Sequence, residues 1–438
     1  MSRVTPRVLR GFRDYLPQKM IPRQRMLNAI ESTFQRFGFV PLMTPALEYL
    51  EILTGKYGDE GENLLYRFQD QGGRDVALRY DLTVPLARVV AQHNTALPWR
   101  RYQIAPVWRA EKPQRGRFRE FVQCDADIIG ASEMCADAEL VQLACELLES
   151  LDVKQYVVRL NNRKVLSGLM EKIGVATGKD ERSVCQTIDK LPKIKEEKTR
   201  ELLRTENGLD EQQVQTIFDL LSLTGKTESV LGQLREMFPD GVGALGVAEL
   251  SEVFAIAKAT GANSRVELDL SIARGLDYYT GTIYETFLSD LPSIGAVMGG
   301  GRYDGLIGVF KGAEIPALGI SLGIDRLLEA LIELNVLEEK LSITNVLVSV
   351  FGADTAGYAG RIARELRRAN LACELYAGYT KIGKQFRYAD RRAMRWVVVA
   401  GTDEAAREEV TVKDLASGEQ QTVAFAELVS HLKSASAE

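Results

Sequence analysis

"RYQIAPVWRAEKPQRGRFREFVQCDADIIG", residues 101–130, decides how the chain folds. The runs "RYQIAPVWR" and "GRFREFVQCDADIIG" are extended in character, and the "AEKPQR" between them is charged and broken by a proline. That order predicts an antiparallel hairpin with a long basic loop. Successive side chains on a strand point to opposite faces. On the second run Phe118, Val122, Cys124, Ala126 and Ile128 point one way, a core face interrupted by Glu120. Arg117, Arg119, Phe121, Gln123, Asp125 and Asp127 point the other way. Arginines, an aromatic, an amide and carboxylates on one face are costly to bury and unusual merely to expose. The face reads as the floor of a site that binds something charged.

On the N-terminal side, Leu27, Ile30, Phe34 and Phe37 recur at helical spacing and stop at Gly38. Residues 22–37 therefore read as an amphipathic helix with a glycine terminus. "FVPLMTPALEY" follows, and its prolines suit an edge or interface strand. Beyond the hairpin, 131–150 reads as a helix, and roughly 165–260 as a helix-rich, charge-rich insertion to which no chemistry is assigned. Strand character returns at "RVELDLSIARG" and through "LDYYTGTIYETFL". "GAVMGGGRYDGLIG" comes next, then "ALGISLGIDRLLEAL", a strand leading into a helix. After "NVLEEKLSITN" the pattern changes to "VLVSVFG", the helical "YAGRIARELRRAN", "CELYAG", the helical "KQFRYADRRAMR" and "WVVVAG", with a hairpin in "TVKDLASGEQQTVAF". Alternating strand and helix predicts a small, mostly parallel sheet covered by helices. The expectation is an α+β chain: an antiparallel-sheet domain over 1–335 carrying the insertion, then an α/β domain over 342–438.

Composition narrows the chemistry. The 438 residues hold five cysteines with no C-x-x-C pair, which fits neither a zinc knuckle nor a disulfide framework and suits a reducing cytoplasm. Only His93 and His431 occur, so histidine-based metal sites and catalytic triads have no support. Nothing near the start of the sequence resembles a secretory leader, and no apolar run approaches membrane length. The net charge of −5 gives no global nucleic-acid signature. Basic residues do concentrate at "RRYQIAPVWRAEKPQRGRFRE" and at "TKIGKQFRYADRRAMR", although such runs are most often solvated faces.

What the chain offers instead is arginine on sheet faces, and the planar guanidinium fork suits phosphate oxygens. Arg109 ends one hairpin strand, Arg117 and Arg119 begin the other, and Phe121 shares their face. An arginine near an aromatic ring suits a nucleotide, although strand aromatics are usually packing residues. "GGGRYDG" (299–305) reads equally as a backbone cradle for an anion or as a glycine turn; no G-K-[ST] follows, so it is not a P-loop. In "GISLGIDRLLEA", Gly319 and Gly323 flank Ser321 on a strand, inviting close approach of a ligand. Arg326 at the following helix start opposes the helix dipole, so an anionic ligand or an internal carboxylate is expected beside it.

Three of these segments together resemble the class II aminoacyl-tRNA synthetases: "FGFVPLMTPALEYLE" their first motif, "VWRAEKPQRGRFREFVQCDADIIG" their second and "GISLGIDRL" their third. "RGLDYYTGTIYE", "GGGRYDGL", "RGFRDYLP" and "LRYDLTVPLAR" are similar to histidyl-tRNA synthetases in particular. The resemblance implies a class II antiparallel-sheet catalytic domain flanked by helices, and a C-terminal α/β anticodon-binding domain. It implies activation of L-histidine by ATP, with Mg2+, and transfer to tRNA(His), with no protein-ligated metal. It places Arg109 on the α-phosphate, Phe121 on adenine, Arg326 on the far phosphates, and Glu111 and Arg117 elsewhere on ATP. Asp81, Leu82, Thr83 and Gln123 hold the amino acid at its ammonium end. By the same resemblance Arg274 matches the family's catalytic arginine, and Tyr278, Tyr279 and Asp127 match its imidazole pocket; some members carry glutamate where Asp127 stands. Lys384 and Arg387 meet tRNA, and the first motif implies a homodimer. Two other readings remain open. One is the synthetase-like regulatory subunit of ATP phosphoribosyltransferase, which resembles the core but lacks the tyrosine segment and the C-terminal domain. The other is a non-catalytic RNA-binding relative, against which the arginines at 109, 274 and 326 argue.

Overall fold

The computed structural model of the chain describes residues 4–176, 178–273 and 278–437. Four short strands come first: β1 (Val40–Pro41), β2 (Leu47–Tyr49), β3 (Arg67–Gln69) and β4 (Asp75–Leu78). The long hairpin strands β5 (Trp99–Trp108) and β6 (Glu120–Ile129) follow, then β7 (Tyr156–Asn162) and, past the insertion, β8 (Val266–Leu268). β9 (Thr282–Leu288), β10 (Met298–Arg302) and β11 (Ala317–Gly323) complete the front part. A large sheet has the order β1-β5-β6-β11-β10-β9-β7-β8, and β2-β4-β3 form a small separate one. Every pairing from β5 to β7 is antiparallel, with β1 and β8 added parallel at the edges.

The hairpin dictates this sheet, because β5 and β6 pair over ten residues and β11 docks on the other side of β6. The even-numbered face of β6 is apolar as expected, with Cys124, Ala126 and Ile128 buried. Helices Met134–Glu149 and Ile324–Glu333 pack against the sheet. The second of these buries Ile324, Leu327, Leu328 and Leu331, the spacing of a single helical stripe. Asp325 in its first turn accepts the Val122 N–H at 2.7 Å, which locks the helix to the start of β6. The insertion forms helices between Arg163 and Ala259, with Leu203, Val214, Ile217 and Leu234 among its buried residues.

Several expectations are corrected in detail. The second hairpin strand begins at Glu120, not near Gly116, because Gln114 and Arg117 pair across a turn in which Gly116 has φ +67°. Arg117 and Arg119 therefore belong to the loop, not to the strand face. "MGGGR" is not a turn but the strand β10. Glycine is required there by crowding: a Cβ on Gly300 would strike the Gly319 carbonyl and the Tyr284 ring. Strand character begins at Thr282, so Tyr278 and Tyr279 precede β9.

Contacts divide the chain into two compact units, one built mainly on Met26–Leu337 and the other on Glu338–Glu438 together with Asp14–Arg25. In the second, β12 (Val346–Val348), β13 (Cys373–Leu375), β14 (Trp396–Val399), β15 (Glu409–Asp414) and β16 (Gln420–Ala424) order as β13-β12-β14-β15-β16. The first three are parallel and the last two antiparallel. Val346, Val348, Trp396 and Val398 pack with Ile362, Leu366 and Leu428 on one face; Leu347 and Val397 pack with Ala389 on the other. Both faces are thus covered, as buried parallel strands require. Among the described residues no helix is long and apolar enough to cross a membrane.

Gly300→Ala is expected to lower stability by about 3 kcal/mol, the upper range for overpacking, because backbone and not a flexible side chain occupies the space. Urea unfolding measures it; an unchanged midpoint would mean that the crowding at β10 relaxes freely.

Candidate active site

The odd-numbered face of the large sheet carries the polar groups. Register places Arg101 opposite Asp127, Gln103 opposite Asp125, Ala105 opposite Gln123 and Val107 opposite Phe121. On the other side of β6, Gly319 lies opposite Asp127, Ser321 opposite Asp125 and Gly323 opposite Gln123. β10 continues the face with Gly299 and Gly301. The glycines leave a bare trough of backbone beside the polar residues of β6. Gly319 is bare by necessity, because the Asp127 carboxylate occupies the space that a Cβ would take.

Asp127 anchors this floor. Its Oδ2 meets Arg101 Nη2 at 2.7 Å, with the two side chains 4% and 0% exposed. Its Oδ1 accepts a hydrogen bond from the Tyr303 hydroxyl. Burial pushes the Asp127 carboxyl up, and Arg101 and Tyr303 pull it back. Asp125 is pushed up to about 8, first by burial and then by the charge of Asp127, against weaker pulls from Arg101 and Ser321. Gln123 Nε2 donates to Ser321 Oγ at 2.5 Å.

Asp81 approaches from the segment after β4. Its Oδ1 accepts the Val84 N–H at 3.0 Å, capping helix Thr83–Gln92, and the Tyr57 hydroxyl at 3.1 Å. The Tyr278 hydroxyl lies 3.5 Å from Oδ2. Burial raises the Asp81 carboxyl, opposed by Val84, Arg109 and Tyr57. Thr83 opens that helix, and Leu82 is fully buried, packing with Ala105, Val107 and Phe121. Leu82 thus serves the site through its backbone, whose carbonyl accepts from Arg101 at 3.4 Å.

Arg109 follows β5 directly. Its guanidinium lies 4.2 Å over the Tyr80 ring and 5.2 Å from the Phe121 ring, and Nε donates to the Tyr80 carbonyl at 3.2 Å. Burial alone would pull its pKa down; Tyr80, Glu111, Asp81 and Tyr278 reverse this and hold it above its ordinary value. Arg326 is held below its ordinary value by burial, then by the positive Arg117 and Arg109. It donates to the Ala296 carbonyl at 2.5 Å. Arg117, in the hairpin loop, pairs with Glu111 at 3.3 Å. Positive charge gathered this closely around Arg326 suits an anion.

The sequence-derived residues Asp81, Thr83, Arg109, Phe121, Gln123, Asp127 and Tyr278 thus come together, with the Tyr279 ring tilted against that of Tyr278 at 4.9 Å. Arg274 and Asp277 lie outside the described residues. Arg101, Tyr303 and Tyr57 were missed. Arg101 has the same parity as Arg109 along β5 and stands opposite Asp127, which is the signal that could have found it.

The histidyl-tRNA synthetase family model matches residues 11–327, and an anticodon-binding domain model matches 345–435. The chain belongs to the histidyl-tRNA synthetase family. A histidine–tRNA ligase of Rhodopirellula baltica is 44% identical over 426 residues, covering 96% of each chain. One from Aeropyrum pernix is 43% identical over 431 residues, covering 97% of each. The crystal structure of histidyl-tRNA synthetase from Nostoc sp. PCC 7120 superposes with a TM-score of 0.87 at 34% identity, covering 98% of this chain and 99% of that one. Family membership gives the class II synthetase fold and the C-terminal anticodon-binding domain, and it favours the enzyme over the regulatory subunit. In that C-terminal domain Lys384 and Arg387 lie on helix Ile382–Arg391 and line a cavity of 550 Å³ with Tyr376, Tyr388, Asp390 and Arg391. The Tyr376 and Tyr388 rings meet edge to face at 5.5 Å.

The raised Asp125 pKa has a definite consequence. A carboxyl with a higher pKa folded than unfolded binds its proton more tightly in the native state, so its contribution is present at low pH and lost as pH rises through the folded pKa. Stability of the protein is therefore expected to fall between pH 4 and about 8 relative to Asp125→Asn, which cannot ionise. Urea unfolding across that range checks it, and parallel pH profiles would contradict it.

Proposed function

We infer that the chain is a histidine–tRNA ligase acting in two steps on the odd face of the large sheet. In the first, a carboxylate oxygen of L-histidine bonds to the α-phosphorus of ATP, and the bond to the β-phosphate oxygen breaks, releasing pyrophosphate. In the second, a ribose hydroxyl at the 3′ end of tRNA(His) attacks the histidyl carbonyl and AMP leaves.

The observation that carries this reading is the Arg109 guanidinium held between Tyr80 and Phe121 beside the Asp81 carboxylate. One cation there adjoins both an aromatic surface suited to a base and an anion suited to an ammonium group. Both reactants bring negative charge to the reacting centre, so fixed cations lower the barrier by electrostatics and orientation, without a covalent enzyme intermediate. Arg109 takes the α-phosphate, Phe121 the adenine, Arg326 the far phosphates, and Glu111 and Arg117 the hairpin-loop side of ATP. Mg2+ enters with the nucleotide as its phosphate partner.

Asp81, the backbone of Leu82, Thr83 and Gln123 hold the ammonium. Tyr278 and Tyr279 read the neutral imidazole with Asp127. An ionised carboxylate has about four acceptor positions, so Asp127 keeps capacity for a ring N–H beyond Arg101 and Tyr303. A site built to satisfy both ring nitrogens rejects amino acids lacking them by roughly 10⁴-fold, because its own buried groups would be left unpaired. Arg274 is the catalytic arginine of the transfer to phosphorus. Residues 1–335 form the catalytic unit and 342–438 the anticodon unit, where Lys384 and Arg387 meet tRNA. Homodimerisation is supported by the exposed apolar Val40, Met43, Leu47 and Tyr49 of the first-motif segment.

Two variants test the assignment together. Arg274→Ala is expected to reduce histidine-dependent ATP–pyrophosphate exchange by 100-fold or more, on the order of one lost transition-state donor at ~3–4 kcal/mol, while histidine still binds. Lys384→Glu with Arg387→Glu is expected to weaken tRNA charging and leave exchange intact. Near-normal exchange by the first variant, or equal loss of both activities in the second, would overturn the respective role.

A further inference from the structure

One side-chain hydrogen bond lies under the proposed amino-acid end of the site, between Gln123 and Ser321. An amide side chain donates from one end and accepts at the other, so its usefulness to a cation depends on which end faces the ligand. Gln123 is held at one end only: Nε2 donates to Ser321 Oγ at 2.5 Å, while Oε1 is buried and meets no partner among the described residues. Ser321 stands directly opposite Asp125 in the pairing of β6 with β11. In accepting from Nε2, the Ser321 hydroxyl fixes which end of the amide is engaged and leaves Oε1 for a ligand.

The neighbours leave Ser321 this task. Gly319 and Gly323 on the same face of β11, and Gly299 opposite Ser321 on β10, have no side chains to offer. Around Asp125, Gln103 of β5 is bonded to Thr44 and Arg101 of β5 to Asp127. Asp127, Asp81 and Arg79 are the other charges that act on it.

We propose that Ser321 is a positioning residue, which fixes the Gln123 amide with its oxygen toward the substrate ammonium and thereby sets affinity for the amino acid independently of ATP. The proposal rests on Gln123 being an ammonium ligand, as read above. Without that hydrogen bond the amide can rotate and present N–H donors to a cation, which repel it. No covalent bond is made or broken by Ser321.

Steady-state ATP–pyrophosphate exchange by the full chain tests this. Ser321→Ala is expected to raise KM for histidine about tenfold, the scale of one hydrogen bond to a charged group, with KM for ATP and kcat unchanged. Ser321→Thr, which keeps the hydroxyl, restores the lower KM. In a Gln123→Ala background, Ser321→Ala adds nothing further, because the residue it positions is gone. The proposal is overturned if Ser321→Ala leaves KM for histidine unchanged or shifts KM for ATP equally. It is overturned too if threonine fails to rescue, or if the two substitutions add independently. Lack of histidine-dependent exchange in the unsubstituted protein is a different result, and it overturns the function itself.

Discussion

The buried ion pair of Arg101 and Asp127 is the constraint on which the site depends. Two charges removed from water are tolerable only when their geometry is good, and loss of one partner is strongly destabilising. Here the pair is formed by residues directly opposite in the hairpin, so the register of β5 on β6 and the charge balance of the floor are one condition. A one-residue slip would turn every polar group of β6 into the core. Tyr303 adds its hydroxyl to Asp127 and thereby ties the end of β10 to the same point. The loop after β4 is tied in through the Leu82 carbonyl on Arg101.

Around that anchor the face divides its work. Side chains crowd the β5–β6 half, and glycines strip the β10–β11 half to backbone. The contrast gives a bound molecule a flat bed on one side and fixed polar contacts on the other. Arg109, Arg117 and Arg326 add positive charge that Glu111 only partly answers. Preorganised charge of this kind needs no rearrangement at the moment of reaction.

Much of this was legible in the sequence, and the reasons for success and failure are physical. The period of two on β6 separated Phe121, Gln123, Asp125 and Asp127 from the apolar residues because Cys124, Ala126 and Ile128 on the even face pack into the core. Arg101 stayed hidden inside a run of basic residues that resembles a solvated face; its burial follows from a partner on another strand. Arg117 and Arg119 were placed on the strand because extended character does not reveal where a turn such as Gln114–Arg117 ends pairing. The three glycines of β10 imitate a turn locally; at Gly300 it is the bulk of Tyr284 and the closeness of the Gly319 carbonyl that require glycine within the strand. The roles of Tyr278, Tyr279 and Arg274 came from likeness to a family and not from spacing.

The central claim is that one site reads the imidazole ring and activates the amino acid that bears it. Amino-acid-dependent ATP–pyrophosphate exchange, run with the purified protein and each of the twenty amino acids in turn, tests it most directly. Exchange with histidine alone is the predicted result. Exchange with another amino acid at a comparable rate, or with none, would contradict it.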